Sequence, residues 1–230
     1  MKILLIETAT QICSVVLAED GKVIARRDSD IPNAHSTRLS VFIGEVLKEC
    51  GLTPRDLGAV GVSAGPGSYT GLRIGVSTAK GFCYALGIPL VSVPTLLSMA
   101  ALYYRQHPDY HGFVCPMIDA RRMECYTAFY GPAGEVRGTQ ADIIDPGIYD
   151  EYLDKGPVTF IGDGAAKTQP LLGGHLNARY DLEQPMTAVA MWQAAARQLR
   201  QGRGEDVAYY EPFYLKDFVA KKSVVRGLRD

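Results

Sequence analysis

The chain has 230 residues, 47% of them hydrophobic, with 24 basic and 25 acidic side chains and a net charge of −1. That is enough apolar material for one large core or two small ones and excludes a chain disordered throughout; the balanced charge excludes a general affinity for nucleic acid, so any RNA contact has to be local or made by a partner. Five cysteines without a CxxC pair do not make a disulfide framework. No run nears the roughly 20 apolar residues of a membrane span, and MKILLIETAT is too short in its apolar run for a signal peptide, so a reducing, cytoplasmic setting is expected.

Residues 2–7 read as an apolar strand ending at Glu7, and the polar turn TATQ leads to a second strand over 12–18. Asp20-Gly21, which readily takes positive φ, then makes a tight hairpin into a third strand over 22–27. Ser36 is expected to cap a helix over 36–50, with Leu39, Ile43, Val46 and Leu47 on one side, Phe42 widening it and Gly51 ending it. Thr53-Pro54-Arg55-Asp56 has the chemistry of a helix start. The stretch 59–93 reads as strand, glycine loop, helix and strand. The first strand covers 59–63, Gly65-Pro66-Gly67 turns the chain, and a helix over 70–86 places Leu72, Val76, Ala79, Cys83 and Leu86 on one face until Gly87 stops it. A buried strand over 88–93 follows, so the crossover is parallel and right-handed. The glycine loop therefore sits at the carboxyl end of a sheet strand, where ligands usually bind.

The second half repeats the opening. Residues 113–119 form an apolar strand ending in an acid, ARR is a polar turn, and strands over 125–130 and 135–139 flank the turn at 131–134. With a shift of 112 residues Glu7 falls on Asp119 and Cys13 on Cys125. This self-similarity points to two domains of one fold, divided as 1–104 and 105–230, with HPDYHG breaking any helix near the boundary. A helix over 146–153, a strand over 158–162 feeding Asp163-Gly164-Ala165, a strand over 178–181 and a helix over 187–199 carrying Trp192 complete the chain. The tail holds Lys216, Lys221, Lys222, Arg226 and Arg229 against Asp217 and Asp230, and a short basic tail of this kind reads as solvated.

Two readings of the glycine loop compete. Its amides, with Ser68, Thr70 and Arg73, could form an anion site; alternatively Gly71 and Gly75 only let the helix lie close to a neighbour. The spacing fits neither the dinucleotide fingerprint nor a phosphate loop with GK[ST]. Ser63 and Ser68 lack a nucleophile elbow and a pairable histidine and acid. His107 and His111 have zinc spacing, but Pro108 and Gly112 argue against the helix that would align them, so no metal is expected. His35 alone suggests a satisfied polar contact or a place in an interface.

GPGSYTGLRIGVSTAKG resembles the signature of the TsaB family of bacterial tRNA threonylcarbamoyladenosine biosynthesis proteins. ILLIETAT followed by CSVVLAEDG, AHSTRL at 34–39 and the late EPFYLKD agree with it. The resemblance implies an α/β fold of two actin-like, ribonuclease H-like (ASKHA) domains, each with a mixed sheet opened by a three-strand antiparallel meander. It implies a diverged relative of the transferase TsaD without chemistry, metal or cofactor of its own. The run after Val93 lacks the histidines of the TsaD metal motif, and the nucleotide cleft, at Glu7, Thr8, Asp119, Gly162 and Gly164, is degenerate because neither phosphate turn contains glycine. TsaD and the ATPase TsaE are the implied partners, with a self-dimer when TsaD is absent and tRNA reached only through the complex. TsaD is expected on the first two helices, at His35, Leu39, Phe42, Ile43, Val46, Leu72, Val76, Ala79 and Cys83. There Val41, Phe42, Ile74 and Ala85 look like surplus apolar surface, and Gly71, Gly75 and Ala79 would let a second helix pair approach. The opposing reading buries both surpluses within the first domain. The rival class is a stand-alone enzyme, an ATP-dependent small-molecule kinase or a glycopeptidase.

Overall fold

The structure is a computed structural model that describes residues 1–216; the basic tail beyond Lys216 lies outside the described residues. In the first half β1 (Lys2–Glu7), β2 (Cys13–Glu19) and β3 (Lys22–Ser29) form the antiparallel meander. They are followed by α1 (Ala34–Glu49), β4 (Ala59–Gly65), α2 (Tyr69–Leu86), β5 (Leu90–Pro94) and α3 (Thr95–Gln106). The second half runs β6 (Phe113–Asp119), β7 (Glu124–Gly131), β8 (Gly134–Ile143), α4 (Asp150–Leu153), β9 (Val158–Ile161), α5 (Gln169–Leu172), β10 (Ala178–Asp181) and α6 (Trp192–Arg200). The first sheet is ordered β3-β2-β1-β4-β5 and the second β8-β7-β6-β9-β10, so the two topologies coincide strand for strand. The repeat is real, but its second copy is abridged: the 16-residue α1 corresponds to the four residues of α4, and the 18-residue α2 to a 3-10 turn and α5.

Local chemistry places most ends where the sequence puts them. Asp20 and Gly21 take φ 45° and 93° in the first hairpin, and Gly87 takes φ 65° to end α2. Thr53 and Asp56 bond reciprocally around a 3-10 turn. The start of α1 differs. The helix begins at Ala34, two residues early, after Asn33 in the left-handed region, and the Ser36 hydroxyl bonds back to the Asn33 carbonyl at 3.0 Å instead of capping. Ser68 is the hydroxyl that caps, accepting from the Gly71 amide at 3.2 Å.

Alternation along the strands sends side chains to two faces. On one face of the first sheet, Leu4, Ile6, Val15, Leu17, Val60 and Val62 pack under α1 and α2. On the other, Ile3, Leu5, Val16, Ala18, Ala59 and Val91 meet Met191, Ala195 and Ala196, from α6 and the 3-10 turn before it. The second sheet mirrors this arrangement, with α4 and α5 on Cys115, Met117, Phe129 and Phe160, and α3 on Val114, Ile118, Ala128 and Ile161. Each half thus lends one helix to the other's sheet. Across the expected division at 104/105, α3 packs on the second sheet and α6 on the first, because each sheet has a second apolar face that its own half leaves bare.

Candidate functional site

The glycine loop and the first turn of the meander form a clasp. A Cβ on Gly71 would lie 2.1 Å from the Thr8 carbonyl oxygen, one on Gly67 2.3 Å from that of Ala9, and one on Gly75 2.2 Å from the Thr8 hydroxyl oxygen. Only glycine admits such approach. The Ser68 amide donates to the Ala9 carbonyl at 2.6 Å, and the Thr8 amide to the Ser63 hydroxyl at 3.2 Å. With Ser68 spent on the turn and on its own helix, the loop's close packing is accounted for within the chain, as is that of Gly71 and Gly75. They receive the Thr8–Ala9 turn, not a second helix pair. Gly65, at φ 103°, and the buried Pro66 lie beneath the returning chain, where the Phe213 carbonyl oxygen would be 2.5 Å from a Gly65 Cβ.

Glu7 ends under this clasp. It is 3% exposed and accepts from the Ala9 amide at 2.6 Å. Burial pushes its carboxyl from 4.5 up to about 7, against the lowering effect of the Ala9, Ser63 and Thr8 hydrogen bonds.

Between the two sheets lies a cleft of about 620 Å³, walled by Ala9, Thr10, Ser68, Thr70, Asp119, Arg121 and Tyr214 among others. Of the five residues assigned to a degenerate nucleotide cleft, Asp119 alone faces it. Glu7 and Thr8 are sealed beneath α2, and Gly162 and Gly164 lie against β6, where their Cβ atoms would meet the Met117 carbonyl oxygen at 2.4 Å and the Ile118 carbonyl carbon at 3.0 Å. Asp119 is itself engaged. Lys167 bonds its carboxylate and donates to the Glu124 carbonyl at 2.7 Å. Burial would raise the Asp119 pKa, but the Lys167 and Arg121 bonds outweigh it and hold the carboxyl below its ordinary range. His35 stands on the cleft wall with Nε2 3.3 Å from the Ile12 carbonyl, and burial pushes its pKa down. Arg73 does not reach the loop; it lies over the Tyr69 ring, 5.4 Å from the centroid. As the proline requires, α3 stops before His107, which stacks on Tyr103. Among the described residues no three His, Cys, Asp or Glu side chains are grouped to hold a metal ion.

The late EPFYLKD motif, as far as Lys216, belongs to a returning strap. The Glu205 amide pairs with the Leu90 carbonyl, the Lys80 ammonium donates to the carbonyls of Ala208 and Tyr210, and the Phe213 amide bonds the Ala64 carbonyl at 2.7 Å. The Tyr214 ring lies 4.7 Å from that of Tyr69, tilted by 37°, and Lys216 reaches across to Glu124 on β7. Phe213 to Lys216 thereby line the cleft.

The partner-facing stripe needs correction. Leu39, Ile43, Val46, Leu72, Val76, Ala79 and Cys83 are each at most 4% exposed, and Phe42 is 7% exposed; all except Leu72 belong to the core under α1 and α2. Two helices on one sheet need apolar faces this wide, so the opposing reading holds for these residues. Phe42→Glu and Val76→Glu are accordingly expected to destabilise the isolated chain by about 2 kcal/mol each. Urea unfolding is the measurement, and unchanged midpoints would contradict this burial.

What α1 and α2 present outward includes a different set: Ser40, Val41 and Gly44 on one helix, and Ser77, Gly81, Tyr84 and Ala85 on the other. A Cβ on Gly44 or Gly81 would meet nothing within 4 Å. Gly44 and Phe82 border a shallow groove of about 460 Å³ between the helices, floored by Ile43 and Leu47. Two glycines in helix interiors, with no turn to make, were the signal available in the sequence for this face.

The family model described as TsaD, tRNA N6-adenosine threonylcarbamoyltransferase, matches residues 29–154. The chain is 32% identical to the tRNA threonylcarbamoyladenosine biosynthesis protein TsaB of Escherichia coli (strain K12), over 97% of this chain and 98% of that one. It is 38% identical to the protein of that name from Bacillus subtilis (strain 168), over 56% of this chain and 55% of the other. Among solved structures, a Pseudomonas aeruginosa protein with similarity to peptidase YeaZ superposes with TM-score 0.81 at 25% identity, over 94% of this chain and 99% of that one. YeaZ from Pseudomonas aeruginosa gives TM-score 0.77 at 24% identity over 93% and 99%, a likeness of fold.

Proposed function

The chain belongs to the TsaB family of tRNA threonylcarbamoyladenosine biosynthesis proteins, and from that membership we propose that it is a non-catalytic subunit supporting the TsaD transferase. In this reading TsaD carries out threonylcarbamoyl transfer to the adenosine beside the anticodon of tRNAs reading ANN codons, and this chain supplies a docking surface. The clasp is the observation that carries it. The turn that would have to approach a phosphate closely is buried under Gly67, Gly71 and Gly75, and the acid on the opposite turn is engaged by Lys167. A phosphate turn so filled by the chain's own backbone supports binding work, not turnover. TsaE, and a second copy of the chain when TsaD is absent, are proposed as further partners.

The outward face of α1 and α2 is the proposed TsaD surface. A glycine in a helix interior costs up to about 1 kcal/mol relative to alanine, and Gly44 and Gly81 have no contact that requires them in the free chain. Close approach by a partner's helices supplies the reason. Gly44→Ala and Gly81→Ala should therefore stabilise the isolated subunit by up to about 1 kcal/mol each. Gly44→Leu and Gly81→Leu, equally well folded, should weaken association with TsaD about tenfold or more, since overpacking a tight contact costs roughly 1 to 3 kcal/mol. Sedimentation of each variant with TsaD decides it, and full affinity in both leucine variants would refute the surface. Low-micromolar ATP affinity or peptide turnover by the isolated chain would instead favour the stand-alone enzyme.

A further inference from the structure

Away from α1 and α2 the first sheet is covered by α6, and the outer stripe of α6 is basic. Arg197 and Arg200 lie three residues apart in its last turns, and both are exposed. Gly202, at φ 65°, reverses the chain so that the Arg203 amide returns to the Gln198 carbonyl at 2.9 Å. This brings a third exposed arginine back to the same helix end. Among the described residues none of the three guanidiniums meets a carboxylate. No acid occurs in the sequence between Glu183 and Glu205.

The helix dipole favours cations near a helix's carboxyl end. It accounts for Arg197 and Arg200 individually, but its reach ends within the last turn and does not account for Arg203 beyond it. Nor does it explain why a chain of net charge −1 leaves this end without a counter-charge. A polyanion would supply one. A protein with balanced overall charge can hold RNA only through such a local patch, and the family's work is on tRNA. The opposite face of the sheet is the one proposed for TsaD, so this stripe stays exposed when α1 and α2 are covered.

We propose that Arg197, Arg200 and Arg203 contact the sugar–phosphate backbone of the tRNA within the assembled complex, positioning it without reading its sequence. The inference rests on the TsaB reading, and its test separates the two. The complex of the full chain with TsaD is titrated with an unmodified ANN-reading tRNA transcript over a range of KCl concentrations, and TsaD association is measured alongside. In the triple variant Arg197→Gln, Arg200→Gln, Arg203→Gln the slope of log affinity against log salt should fall by about three. Binding should weaken alike for tRNAs of different sequence, with TsaD association unchanged. The corresponding triple lysine variant should keep the slope. An unchanged slope in the glutamine variant, or equal losses in the lysine and glutamine variants, overturns the proposal. Loss of TsaD association in the glutamine variant also overturns it, by giving the stripe to the protein partner. Arg203→Gln alone, outside the helix, should lower the slope by about one, which keeps the test independent of helix stability.

Discussion

Alanine at position 71 is expected to destabilise the chain by about 4 kcal/mol, although the same change inside a helix ordinarily stabilises by up to about 1 kcal/mol. The sign reverses because the new methyl group would lie 2.1 Å from the Thr8 carbonyl oxygen. That oxygen belongs to backbone held on both sides, by the Ser63 hydroxyl on the Thr8 amide and by the Ser68 amide on the Ala9 carbonyl. Neither helix nor turn can yield without breaking these bonds, so the cost exceeds the usual overpacking penalty of roughly 1 to 3 kcal/mol. Gly75→Ala is predicted to be milder, because its methyl would meet the Thr8 hydroxyl, a side-chain atom that is buried without a hydrogen-bond partner. Thr8→Ala should therefore rescue Gly75→Ala and leave Gly71→Ala as unstable as before. Urea unfolding of the two double variants checks this, and equal rescue of both would show that the contacts are not those of the clasp.

The second large effect is a fall in stability with rising pH, traced to Glu7. Its carboxyl holds a proton more tightly in the folded chain, at about 7, than at its ordinary value of 4.5. Below pH 4.5 both forms are protonated and the group is neutral in the balance. Between 4.5 and 7 the unfolded chain ionises first, so stability falls as pH rises; above 7 the loss is complete, at about 3 kcal/mol. Glu7→Gln removes the ionisation and keeps an oxygen for the Ala9 amide. Wild type and variant should match near pH 4.5, and the variant should be the more stable by about 3 kcal/mol at pH 8. Urea midpoints collected from pH 4.5 to 8 test this, and parallel curves for the two proteins would assign the slope to other groups.

What could be read from the sequence follows from what each residue's signal depends on. The meander, the crossover and the repeat were legible because Asp20-Gly21, Gly87 and the alternating apolar runs act locally. The burial of Leu39, Ile43, Val46 and Val76 was not, since helix periodicity marks an apolar face without saying whether a sheet or a partner covers it. Glu7, Thr8, Gly162 and Gly164 were misplaced for a related reason. A glycine shows that something lies close, and only the fold shows that it is the chain's own Thr8, Ala9 or Met117. Lys167, which engages Asp119 from 48 residues away, has no local signature at all. Gly44 and Gly81 carried a signal that composition and helix propensity could have raised, glycine in a helix interior with no turn to make.

The exchange of α3 and α6 between the two sheets bears on how the protein is made. A ribosome releases the first sheet complete by Pro94, yet one face of it stays bare until α6 has been synthesised near residue 200. The amino-terminal half cannot finish folding as a nascent unit, and its Ile3, Leu5, Val16 and Val91 face remains open to chaperones or to aggregation while the chain from 95 to 200 is made. Neither half produced alone should be soluble, whereas the two expressed together from separate genes can cover each other's sheets.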